Sequence, residues 1–183
     1  MNKSTTKNTT TCFDVFEQCV LAVQSGELIE SVSAKDKEFH FQNWFQKRLQ
    51  KMSMHFEGSG RNTYPDFCLV EAAEGYEVKA LAWPGREKDY DSNSQVPTGY
   101  HNGRQIFYVF GRYPADITPY ATQNSGHKQY PVIDLVLCHG DFLNADHKTN
   151  PNAGSRHRFV AWRLRNQASK PVSMSANSTA STK

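Results

Sequence analysis

Three side chains in one short stretch are of the types that hydrolyse phosphate esters with the help of a metal ion. They are Asp66, Glu77 and Lys79. Carboxylate oxygens are hard ligands suited to Mg²⁺. Mg²⁺ stabilises charge on a phosphoryl oxygen and lowers the pKa of a bound water. An ammonium group beside it orients that water and offsets charge in the transition state. Glu77 and Lys79 are two residues apart, and side chains alternate along a strand, so both fall on one face. Val78 and Ala80 then point the other way, into a core.

The surrounding residues supply the strands this needs. Phe67–Val70 and Tyr76–Trp83 are short apolar runs flanking Glu-Ala-Ala-Glu-Gly, the pattern of a β-hairpin. Asp66 opens the first run and faces Glu77 across the hairpin. The plainer reading is an amphipathic hairpin with a solvated Glu and Lys, since Glu-x-Lys alone is common. Pro-Asp, ten residues, then Glu-x-Lys, on two expected strands, is far less so.

This arrangement resembles the PD-(D/E)XK nuclease superfamily, and type II restriction endonucleases in particular. The likeness is carried by Tyr64–Lys79. It continues more loosely through Trp83-Pro84-Gly85-Arg86, Asp91-Ser92-Asn93 and the strand Ile106–Phe110. It implies an α/β fold with a restriction-endonuclease-like core, in which a mixed central β-sheet is flanked by α-helices. It also implies a Mg²⁺-dependent endonuclease that cuts double-stranded DNA at a specific sequence. Asp66 and Glu77 would ligate the metal with the backbone carbonyl of Val78, and Lys79 would position the attacking water. In several such nucleases a helical Glu upstream of the hairpin joins the metal site. Glu30 and Glu38 are the candidates here. Each also reads as a solvated helix residue, Glu38 as an N-terminal acid complementing the helix dipole. A homodimer matches two-fold symmetry to a palindromic site. Two alternatives stay open: a repair or junction-resolving nuclease of the same superfamily, and a non-catalytic DNA-binding protein.

The rest of the chain must position this patch. Its 183 residues suit one domain, expected over 12–165, with a polar N-terminal arm (1–11) and a Ser/Ala/Thr/Asn-rich C-terminal tail (166–183), both expected to be disordered. Phe13, Phe16, Val20 and Val23 recur at helical spacing, and Gln24-Ser25-Gly26 closes that helix. Glu27–Val32 reads as a second short helix or turn. Lys35–Met54 is the clearest helix, with Phe41, Phe45, Leu49 and Met52 as its apolar stripe and Gln42, Lys47, Arg48 and Lys51 largely off it. Met54–Thr63 reads as a polar loop. Gln105–Arg112 and Val132–Cys138 read as buried strands and Arg158–Arg165 as an edge strand. Pro114–Pro131 and His147–His157 read as polar excursions, and His139-Gly140-Asp141 as a strand-end turn.

Pro84–Arg104 has almost no apolar side chains. A polar connection of that length in a compact domain is usually functional or disordered. Arg, Asn and Gln can read base edges bidentately. Arg86, Asn93, Gln95, Asn102 and Arg104 are therefore candidate DNA contacts, with Tyr100 and His101 able to stack or touch the backbone. A solvated loop is the simpler alternative.

Composition narrows the function classes. A formal net charge of +3 allows nucleic-acid binding without demanding it. No apolar run reaches membrane-spanning length and no secretory signal opens the chain, so a cytoplasmic protein with no membrane partner is expected. Cys12, Cys19, Cys68 and Cys138 lack metal-ligand spacing and read as free, mostly buried thiols. Phosphate-loop, dinucleotide and serine-nucleophile signatures are missing, so no nucleotide cofactor is expected.

Overall fold

The computed structural model describes residues 11–31, 37–58, 64–84, 97–116, 128–143 and the strand 161–165. The chain forms helices α1 (Thr11–Gln24), α2 (Lys37–Lys51) and the one-turn α3 (Gly140–Leu143). The strands are β1 (Ile29–Glu30), β2 (Phe56–Gly58), β3 (Phe67–Leu69), β4 (Glu74–Trp83), β5 (Tyr100–His101), β6 (Arg104–Pro114), β7 (Gln129–Tyr130), β8 (Asp134–His139) and β9 (Ala161–Arg165). The main sheet runs β2-β3-β4-β6-β8-β9, with β5 folded onto β6, and a small second sheet pairs β1 with β7. The β4–β6 pair is parallel and the other pairs are antiparallel. The protein is thus mixed α/β with a mixed open central sheet and helices against it.

The alternation of β4 decides which face is buried. Tyr76 and Val78 are inaccessible and join Phe67, Leu69, Phe107, Val109, Leu135 and Leu137 in the main core. Helices α1 and α2 cover this face, contributing Val15, Cys19, Phe41, Phe45 and Leu49. The Phe45 ring packs against both Phe67 and Tyr76, with ring centres 5.6 Å apart in each case. Ile106, Tyr108 and Cys138 point to the opposite face, where Tyr64, Phe110 and Leu143 pack on them. Glu77 and Lys79 belong to this second face, because their register partners on β6 are Tyr108 and Phe110.

Buried polar groups join the layers. Glu74 is 6 % exposed; it accepts a hydrogen bond from Tyr76 Oη at 2.7 Å and from the amides of Thr11 and Cys12. It thereby caps the N-terminus of α1, where unpaired amides favour an acidic acceptor. Burial raises its pKa. The Arg48 guanidinium is also buried, paired with Glu27 and stacked 4.9 Å from the Trp44 ring centre. Cys12, Cys19 and Cys138 are buried free thiols, each pushed up to about 12 by loss of solvent.

Several expectations need correction. Within Glu27–Val32, read as a short helix or turn, Ile29–Glu30 is a strand held by Gln129–Tyr130, whose sequence had read as polar connection. Phe56–Gly58, expected as loop, pairs with β3. Arg48 is not a surface residue of α2, because Glu27 and Trp44 neutralise and cover it. The end of the polar stretch Pro84–Arg104 is a tight hairpin. Asn102 (φ 47°) and Gly103 (φ 79°) turn β5 into β6, both in the left-handed region where Asn-Gly is favoured. The edge position of β9 agrees with expectation. The expected arm and tail lie outside the described residues, apart from Thr11, the first residue of α1. Among the described residues no helix is long and apolar enough to cross a membrane.

Gly111 gives a direct test of this packing. A Cβ there would meet the Phe41 ring at 2.2 Å. Gly111→Ala should lower stability by about 1–3 kcal/mol, the usual cost of an overpacked core. A Phe41→Leu background should recover part of the loss. Urea denaturation measures both; a Gly111→Ala variant as stable as the parent would contradict the α2–sheet packing.

Candidate functional site

The site begins where β3 ends. Phe67 pairs with Tyr76 and Cys68 with Gly75, so the register carried one step further sets Asp66 opposite Glu77. The next position holds Pro65, which has no amide proton to give the ladder. There the Asp66 side chain takes over. Its Oδ2 accepts from the Val78 amide at 2.7 Å and its Oδ1 from Gln42 Nε2 of α2 at 2.9 Å. The Asp66 amide donates to Glu77 Oε2 at 3.3 Å. Lys79 Nζ stands 2.9 Å from Glu77 Oε1, with side chains 21 % and 12 % exposed. Gly75 leaves room for this corner, since a Cβ there would meet Pro65 Cγ at 2.6 Å.

The structure thus brings together Asp66, Glu77, Lys79 and the Val78 main chain. A residue in an extended strand presents its N–H and C=O on the same side. The Val78 carbonyl therefore opens toward the Asp66 side of β4. Two carboxylates and one carbonyl form an all-oxygen donor set, which fits a hard divalent cation. Among the described residues no group of three or more His, Cys, Asp or Glu side chains stands together. The two accessory candidates contribute nothing visible to it. Glu30 pairs with Lys47 at 2.7 Å and contacts Gln129. Glu38 lies in the first turn of α2, and its side chain is outside the described residues.

A second group of side chains, not singled out from sequence, borders the carboxylates. Tyr108 is the register partner of Glu77, and its hydroxyl lies 2.9 Å from that of Tyr64. Burial holds both phenols above their ordinary pKa, their hydrogen bond raises Tyr64 further, and the Glu77 charge raises both. Both therefore remain neutral donors at physiological pH. The Thr98 main chain hydrogen-bonds to both hydroxyls. Asp141 holds the adjacent backbone, accepting from the Gly99 amide at 3.2 Å. Asp141 also donates its own amide to His139 Nδ1 at 3.3 Å. The His-Gly-Asp turn is thus a clamp on the chain entering β5.

The expected DNA-contacting residues divide. Arg86, Asn93 and Gln95 lie outside the described residues. Tyr100 is exposed, and His101 packs edge-on against the Tyr64 ring, 5.1 Å between centres. Asn102 serves the turn. Arg104 donates through one guanidinium nitrogen to the carbonyls of Leu69 and Ala72, so it braces the β3–β4 connection.

Comparison of the chain with protein-family models, with curated proteins and with solved structures finds no match.

Because Asp66 replaces a strand, its substitutions should differ in stability. Asp66→Ala orphans the buried Val78 amide and should cost about 1–3 kcal/mol. Asp66→Asn keeps an acceptor oxygen for that amide and should cost less. Paired thermal melts decide; equal losses would mean the carboxylate does not close the ladder.

Proposed function

We propose that this protein is a divalent-metal-dependent endonuclease hydrolysing phosphodiester bonds in DNA. The observation that carries the reading is the convergence of Asp66, Glu77 and Lys79 at the end of β3, linked by the contacts at 2.9 Å and 3.3 Å. Asp66, Glu77 and the Val78 carbonyl would hold Mg²⁺. When bound, the ion supplies Lewis-acid stabilisation of phosphoryl charge and acidifies a coordinated water.

The remaining work belongs to the chain. Gln42 and the Val78 amide hold the Asp66 carboxylate in one orientation before any substrate binds. Lys79 is placed to orient a water beside Glu77 and to offset charge as the water oxygen bonds to phosphorus. The attacking water gives up a proton to solvent, the bond from phosphorus to the leaving sugar oxygen breaks, and that oxygen takes a proton from solvent. Tyr64 and Tyr108, held neutral, leave one hydroxyl proton as a donor beside the carboxylates, the other being spent in their mutual hydrogen bond. Sequence-specific cleavage of duplex DNA by a homodimer, as in type II restriction, is the finer form we propose. Repair or junction cleavage would use the same residues on another DNA shape.

One observation favours a non-catalytic reading. Lys79 already neutralises Glu77, and Asp66 is engaged by Gln42 and Val78, as in a structural ion-pair cluster.

Nicking of supercoiled plasmid in Mg²⁺ separates the two. The parent protein should cleave, and chelation should stop it. Lys79→Met and Asp66→Asn should each lose about 10²-fold or more in rate, as removal of a preorganised electrostatic group does elsewhere. Cleavage by either variant at the parent rate would refute the assignment.

A further inference from the structure

The face that carries Glu77 and Lys79 continues across the sheet into a groove of about 270 Å³ floored by Phe110, Val136 and Cys138 and walled by Phe142 and Leu143, with Arg112 and Asp134 at one end. It is continuous with the candidate site. Lys79 is the register partner of Phe110, and Phe110 of Val136, so the groove starts one strand away from the ammonium group. Adjacent strands are about 4.8 Å apart. The floor carries one aromatic ring, Phe110, which stacks on Tyr108 with 6.0 Å between centres and 17° between planes. Phe142, 48 % exposed, offers a second aromatic face.

We propose that this groove is a subsite for one unpaired nucleobase of the bound DNA strand, which deepens the nuclease reading above. Three observations select a base over an aliphatic ligand. Aromatic faces stack on any base, whatever its identity. Cations stand along the β4 side of the groove: Arg112, stacked 5.1 Å from the Trp83 ring centre, and, one strand from Phe110, Lys79 beside Glu77, which suits the phosphates of a strand running past that edge. Asp134 adds acceptor oxygens that the N–H edge of a base can meet and a hydrocarbon cannot. The volume is below that of a typical pocket for a drug-sized molecule, so it suits a single ring system. The β9 register also sets Arg163 opposite Val136 and Arg165 opposite Asp134, adding two basic positions along the same rows. The occupant implied is a base out of its stack beside the scissile phosphate, whether already unpaired or turned out of a duplex on binding, and an already unpaired base saves the cost of unstacking.

The test uses the full chain in EDTA, where no divalent metal supports cleavage. Two duplexes of one sequence are compared, one fully paired and one with a single bulged 2-aminopurine. The parent should bind the bulged duplex roughly tenfold more tightly, within the range that one base–aromatic stack supplies, and its emission should fall on binding. Phe142→Ala should abolish that preference while leaving affinity for the paired duplex unchanged. Equal affinity for the two duplexes, undiminished 2-aminopurine emission, or a preference that survives Phe142→Ala would each overturn the proposal. The hydrolysis reading fails separately. Base preference in a protein that does not nick plasmid would leave the groove standing alone, and nicking without base preference would remove the groove alone.

Discussion

The hydrogen bond from the Val78 amide to the Asp66 carboxylate is the interaction on which the candidate site depends. A three-residue strand cannot accompany a ten-residue one along its length. Past Phe67 the β4 backbone would be left without a partner on that side, at a cost comparable to a lost hydrogen bond for each buried group. Asp66 meets the first such group with a side chain in place of a backbone. That substitution stops the ladder, fixes the carboxylate in the plane of the sheet, and leaves the strand's far end for another use. Gln42 completes the arrangement from α2, so the helix that forms the core also aims the acid.

Charge in the interior follows the same logic of local compensation. Glu74 faces the amides at the start of α1, and Arg48 faces Glu27 across the Trp44 ring. Removing one partner of such a pair costs more than the pair itself contributes, because the remaining charge is left buried. Lys51 shares Glu27 and, as its hydrogen-bond donor, is the main reason that carboxyl lies below its ordinary pKa. These pairs fix how α1 and α2 sit on the sheet, and hence where Gln42 stands.

What was legible in the sequence was whatever local periodicity controls. The α2 stripe of Phe41, Phe45 and Leu49, the alternation of Glu77 and Lys79 against Val78, and the apolar run of β6 each announce their element. Asp66 facing Glu77 followed from one hairpin. The short strands β1, β2, β5 and β7 escaped; β1 and β7, for instance, are defined by each other across about a hundred residues and carry no period of their own. Asn102-Gly103 is a hairpin signal that polarity alone obscured. Gln42 and Tyr108 carry no mark of their neighbourhood: Gln42 meets Asp66 from α2, and Tyr108 meets Glu77 and Tyr64 only through the pairing of β4 with β6. Arg48 read as off the apolar stripe because its charge outweighed its place among buried neighbours on the helix.

The parallel pairing of β4 with β6 has a kinetic consequence. Val78 meets Val109, and Glu77 meets Tyr108, only after the intervening chain has closed on itself, so neither face of the sheet is completed early from local contacts. The β3–β4 hairpin, by contrast, can form within its own short segment, bringing Asp66 to Glu77 before β6 arrives. Closure entropy grows only with the logarithm of the connection, about 0.6 kcal/mol per doubling. The segment between Trp83 and Tyr100 can therefore lengthen or shorten over evolutionary time with little thermodynamic penalty, while the two carboxylates keep their spacing.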